Sequence, residues 1–200
     1  MSIPNRTAEI HRKTNETNIH VRLDIDGDGL AEIDTGIGFF DHMLTAFAFN
    51  GCFDLALTCK GDLHIDQHHT VEDVGIALGE AFASALGDNK GIVRYGTFVV
   101  PMDEVAVRCT LDLSGRAYLR CDLPWQTVLR AADFDYALTR EFHWGFCRSA
   151  RVTTHIDALA SGNNHHLCEA SFKAFGRALD LATTRDPRRA GRIPSTKGSL

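Results

Sequence analysis

The chain has 200 residues, 44% of them apolar and 24% charged, which is enough for one compact domain or two small fused ones with a real core. Its net charge of −5 argues against a generic nucleic-acid binder, although a local basic pocket stays open. No apolar run nears the length of a membrane span and Met1 to Arg6 is no signal peptide; six cysteines without Cys-x-x-Cys spacing read as buried, reduced thiols, so a cytoplasmic protein is expected.

Alternating apolar residues predict strands at 8–13 and 19–25. Asp26-Gly27-Asp28-Gly29 reads as a hairpin turn into a short strand at 30–33. Asp24-x-Asp26-x-Asp28-Gly29 also matches the first half of a calcium loop. The twelfth position is Thr35 where a bidentate Glu is needed, and flanking helices are absent, so the turn is preferred. Phe39, Phe40, Met43, Leu44 and Phe47 suit an amphipathic helix ended by Asn50-Gly51. A strand follows at 53–59, then a long helix over about 69–86 closed by Gly87.

The second half repeats that order, with strands at 95–100, 104–113 and 116–123 and a Ser114-Gly115 turn between the last two. A helix over 135–149, a strand at 152–156 and a helix over 164–182 complete it. The expected organisation is one α+β repeat at 1–90 and a second at 91–184. The Pro/Gly/Arg-rich residues 185–200 read as an extended tail.

One motif occurs twice. His68-His69-Thr70-Val71-Glu72 returns as His165-His166-Leu167-Cys168-Glu169, each His-His-x-x-Glu at the start of a predicted helix. Residues four apart share a helix face, so His68 with Glu72, and His165 with Glu169, can each reach one point. His69 and His166 sit about 100° around and point elsewhere. A solvated first turn would explain one copy. Repetition in matching contexts favours two metal half-sites, because His and carboxylate together make metal ligands. His42, on the first helix, lies 26 residues before His68, and Glu141 lies 24 before His165. Glu141 is thus the closer pseudo-symmetric counterpart of His42, with His143 as the alternative.

GFFDHML, GDLHIDQHHTVEDVG, PMDE, LDLSGR, NNHHLCEASFKAFGRAL and PSTKG, in this order, resemble the imidazoleglycerol-phosphate dehydratase family across nearly the whole chain. The resemblance implies an α+β fold made of two tandem repeats, each like domain 2 of ribosomal protein S5. It implies two Mn2+ per active site, other divalent transition metals being possible, in a 24-subunit homo-oligomer of trimers with shared sites. One ion would take His42, His69, His165 and Glu169; the other His68, Glu72, His166 and Glu141, the last a position where several family members have His. Gln67 departs from a frequent Asp. Glu16 matches the catalytic, substrate-contacting glutamate. Arg94, Arg116, Lys173, Ser195 and Lys197 match the phosphate binders, so the tail would complete the phosphate site. The implied activity is metal-dependent dehydration of a phosphorylated imidazole substrate in histidine biosynthesis, without nucleic-acid or membrane partners. A dinuclear phosphoester hydrolase and a non-catalytic metal-binding assembly are the rival readings of the ligand cluster.

Overall fold

A computed structural model describes residues 6–126, 130–131 and 134–199. The elements run β1 (Thr7–Lys13), β2 (Thr17–Asp24), β3 (Ala31–Asp34), α1 (Gly38–Gly51), β4 (Asp54–Gly61), α2 (His68–Leu86), β5 (Tyr95–Met102), β6 (Val105–Asp112) and β7 (Tyr118–Asp122). Then come two short strands, β8 (Arg130–Ala131) and β9 (Phe134–Asp135), and α3 (Leu138–Ala150), β10 (Thr153–Ala160) and α4 (Asn164–Thr183). None of the described helices is long and apolar enough to cross a membrane.

Two four-stranded sheets share one topology, β1-β2-β4-β3 and β5-β6-β10-β7, each with one parallel pair at the β3 or β7 edge. The fold is therefore two tandem α+β repeats. Alternation explains the faces: Ile19, Val21 and Leu23 of β2 are buried, while His20 and Arg22 between them face outward. α2 packs on the inner face of the first sheet and α4 on that of the second.

Three sequence expectations need correction. β2 and β3 are not a hairpin, because β4 lies between them. Asp54 Oδ1, at the start of β4, accepts the backbone N–H groups of Asp28 and Leu30 at 2.9 Å each, which carries the turn across the end of β4. α3 begins at Leu138 rather than 135, since Phe134 and Asp135 pair with Arg130 and Ala131. The tail is not extended: Pro187–Arg189 forms a 3-10 turn, and Arg192 O accepts the Gly91 N–H at 2.9 Å.

The repeats are joined helix to helix, crosswise. α1 packs on α4, and α2 on α3. Phe47, Phe82, Phe146 and Phe175, one from each helix, meet with ring centroids 4.9–6.5 Å apart. Glycine lets the backbones approach: a Cβ on Gly176 of α4 would lie 2.5 Å from Phe47 O of α1, and one on Gly79 of α2 would lie 2.6 Å from Phe146 O of α3. Gly176→Ala is expected to lower stability by about 1–3 kcal/mol, the usual penalty of overpacking, read as a lower denaturant midpoint. An unchanged midpoint would mean that the α1–α4 approach is not tight.

Asp26 ties the two chain ends together. It meets Arg6 at 2.6 Å and Arg185 at 3.2 Å. The Arg6 hydrogen bond lowers its carboxyl from 3.8 to about 2, against an opposing push from burial. A depressed acid stabilises the fold above its unfolded pKa and loses that contribution as pH falls through the folded value. Asp26→Asn should therefore be less stable than the parent at pH 7 and approach it as pH falls from about 4 to about 2. Urea titrations across that range would show a constant gap if the pair does not contribute.

Candidate active site

The two motif helices start alike. Asn163, the N-cap of α4, accepts the His165 N–H at 2.8 Å, and Asp66, one residue before the N-cap Gln67 of α2, accepts the His68 N–H at 2.8 Å, so a side chain steadies each first turn. From these turns the motif side chains divide as helix geometry predicts. His165 Nε2 lies 3.2 Å and His42 Nε2 3.3 Å from Glu169 Oε2, drawing donors from α4 and α1 to one point. Glu169 is 9% exposed at its side chain, and its other oxygen meets Lys173 Nζ at 2.5 Å. Burial raises its pKa, but Lys173 and His42 outweigh that and hold it below the ordinary glutamate value. On α2, His68 Nε2 stands 3.7 Å from Glu72, which also meets Arg148 of α3 at 3.5 Å.

Glu141 is placed by the crosswise packing. It lies one turn before Gly145, where an added Cβ would meet Glu72 O at 2.7 Å, so Glu141 belongs to the α3 face that looks at α2. Phe47 and Phe146 are 99 positions apart and play equivalent parts, as are His42 and Glu141. His143 is fully buried among the Phe142, Phe172 and Phe175 rings, with centroids 4.9–5.3 Å away. Burial pushes its pKa down to about 3, and it offers no nitrogen to the surface. Of the two alternatives, only Glu141 is available as a ligand.

The second histidines turn away, each toward carboxylates. His69 Nδ1 lies 3.0 Å from Asp62, and its Nε2 lies 3.6 Å from Glu16. The Asp62 hydrogen bond, then Glu16, raises the His69 pKa despite desolvation. His166 Nδ1 lies 3.1 Å from Glu104 Oε2, and Glu104 Oε1 accepts the Asn163 N–H at 2.6 Å. Holding Nδ1 on a carboxylate leaves Nε2 as the free donor nitrogen, the usual outer arrangement of metal-binding imidazoles. Sequence reasoning missed Asp62 and Glu104. The repeat held a signal for Glu104: it immediately precedes β6 as Glu16 immediately precedes β2.

Neither four-ligand set gathers within one chain. His42, His165 and Glu169 come together without His69, which sits with Asp62 and Glu16; His166 sits with Asp103 and Glu104, apart from His68 and Glu72. Of the anion-binding candidates, Lys173 stays with Glu169, and Arg94, Arg116 and Ser195 lie elsewhere. Arg94 pairs with Asp112 at 2.7 Å and donates to Pro194 O at 2.8 Å, which sets Ser195 next to it, and the Lys197 N–H donates to Ser195 Oγ at 3.2 Å. Arg116 donates to Ser114 O at 3.4 Å, near the same end of β6. Arg94 N donates to Ala182 O, at the far end of α4 from His165. The intervening helix is about 25 Å long.

The family model for imidazoleglycerol-phosphate dehydratase matches residues 35–179. The chain belongs to the imidazoleglycerol-phosphate dehydratase family. It is 58% identical to the imidazoleglycerol-phosphate dehydratase of Acidovorax sp. (strain JS42), over 98% of this chain and 93% of that one. It is 56% identical to that of Methylibium petroleiphilum over the full length of both. Among solved structures, the enzyme from Pyrococcus furiosus in complex with (S)-C348 superposes with a TM-score of 0.82 at 38% identity, covering 96% of this chain and 100% of the other. The Staphylococcus aureus dehydratase gives 0.80 at 38% identity, over 90% and 99%.

Glu104 supplies a test of this arrangement. Glu104→Ala should free the His166 ring and lower affinity for added Mn2+ about 10–100-fold, the usual effect of losing such a partner, with Glu104→Gln losing less. Equilibrium dialysis showing unchanged affinity in Glu104→Ala would remove it from the site.

Proposed function

We propose that the chain dehydrates D-erythro-1-(imidazol-4-yl)glycerol 3-phosphate to 3-(imidazol-4-yl)-2-oxopropyl phosphate and water, in histidine biosynthesis, with two Mn2+ at each site. The observation that carries this reading is the convergence of His42, His165 and Glu169, in a chain of this family, with Glu16 beside the next motif histidine. The donor set fits: imidazole nitrogens with carboxylates suit Mn, Fe, Co or Zn. His42, His69, His165 and Glu169 would hold one ion, and His68, Glu72, His166 and Glu141 the other. When bound, such ions supply Lewis acidity toward the substrate imidazole, which makes the neighbouring hydroxyl easier to expel.

The protein's own groups do the rest. The hydroxyl is expelled, Glu16 takes the carbon-bound proton and passes it to the departing hydroxide to give water, and the resulting enol tautomerises to the ketone. Arg94, Arg116, Lys173, Ser195 and Lys197 bind the phosphate, guanidinium forks and a hydroxyl being suited to its oxygens. The distance along α4 between Arg94 and the His165 cluster that holds Lys173, and the split of both ligand sets, support sites completed by neighbouring subunits. A homo-oligomer of trimers totalling 24 chains would provide them. The site would then act on a small phosphorylated imidazole in the cytoplasm, with no nucleic acid or membrane involved.

Mn2+-loaded protein given the imidazole substrate should form ketone without releasing inorganic phosphate. Glu16→Gln should keep its metal and lose turnover by about 10²–10⁴-fold, the range for a lost general base. Phosphate release without ketone would make the chain a phosphoester hydrolase. Bound metal with neither product would make it a binding assembly.

A further inference from the structure

We infer that the outer face of the first sheet carries a separate site for a divalent transition-metal ion, built from Glu9, His11 and His20. His11 and His20 are direct register partners on antiparallel strands β1 and β2, so their side chains leave the sheet side by side. Their rings stack with centroids 3.9 Å apart and planes 26° from parallel. Glu9, two residues before His11, projects from the same face, and its Oε1 lies 2.6 Å from His20 Nε2. One donor atom from each of the three residues lies within 4.8 Å of the others.

The chemistry selects the cation. Two imidazoles and one carboxylate suit Ni2+, Cu2+ or Zn2+ better than Ca2+ or Mg2+, which prefer all-oxygen shells. β1 and β2 are paired without interruption over seven register positions, so the ligands stand on a rigid ladder rather than a loop. Glu9 and His11 are exposed and His20 is partly so, which leaves water to complete the shell. Arg22, the register partner of Glu9, faces the same way and opposes the cation through screened repulsion, which points to moderate affinity.

This site is distinct from the one proposed for catalysis and does not rest on it. α2, which carries His68, His69 and Glu72, packs on the opposite face of the same sheet. None of Glu9, His11 or His20 belongs to the proposed catalytic or phosphate-binding groups.

The test is a Ni2+ titration of the full-length protein by equilibrium dialysis, comparing the parent with His11→Ala, His20→Ala and His165→Ala. The two sheet variants should each bind one Ni2+ per chain fewer than the parent and keep the parent's Mn2+-supported turnover. His165→Ala should retain the ion that the sheet variants lose. Equal Ni2+ stoichiometry in the parent and both sheet variants overturns the inference. Loss of an equivalent in the sheet variants supports it even if no turnover is found in any protein, so the two readings fail separately.

Discussion

The close crossing of helices between the two repeats is the constraint from which the site follows. Each repeat alone has a sheet with helices on one side, and its α1 or α3 would be left without a partner. Exchanging them, α1 onto α4 and α3 onto α2, buries the four-phenylalanine cluster and places a side chain of each repeat beside the metal motif of the other. Glycines at the crossing points let backbone meet backbone, and close-packed interiors do not stretch to accommodate an added methyl group. His42 reaches Glu169 because of this crossing. An independently folded first repeat would carry His42 with nothing to meet.

Electrostatics then decide which groups are available. The carboxylates are partnered within the protein: Glu169 by Lys173 and two histidines, Glu72 by Arg148, Asp62 by His69. A buried carboxylate needs such compensation. Lys173 supplies that countercharge for Glu169 from one turn further along α4. The Asp62 hydrogen bond and the Glu16 charge likewise favour the protonated form of the His69 ring.

Much of this was legible in the residues. The repeat of His-His-x-x-Glu placed both motifs at helix starts, and the i, i+4 rule paired His165 with Glu169 and His68 with Glu72, as the structure shows. Local spacing also located most strands and all four long helices. The sequence read less well wherever partners were distant. Asp26 to Gly29 looked like a hairpin turn because turn chemistry is local, whereas the strand beside β2 comes from residues 54–61, whose first residue, Asp54, accepts the turn's N–H groups. α1 does end at Gly51, as its Asn50-Gly51 pair predicts. The residue in the left-handed region is Cys52, with φ 55°, and Gly51 is instead the last helical residue, packed near Gly176. The small pair β8–β9 displaced the start of α3, and no periodicity marks strands of two residues.

The duplication also sets side by side two glutamates whose surroundings differ. Glu16 and Glu104 occupy equivalent hairpin positions beside the second motif histidines. Both oxygens of Glu104 are engaged, one by the Asn163 N–H and one by His166, and these bonds hold its pKa below the ordinary value. A carboxylate so stabilised is a weaker base. Glu16 approaches His69 only at 3.6 Å, beyond hydrogen-bond reach, and its side chain is about half exposed. The two copies have therefore diverged in their partners rather than in residue type: Glu104 holds an imidazole and a helix start in place, whereas the Glu16 carboxylate faces the His69 ring at 3.6 Å without such bonds.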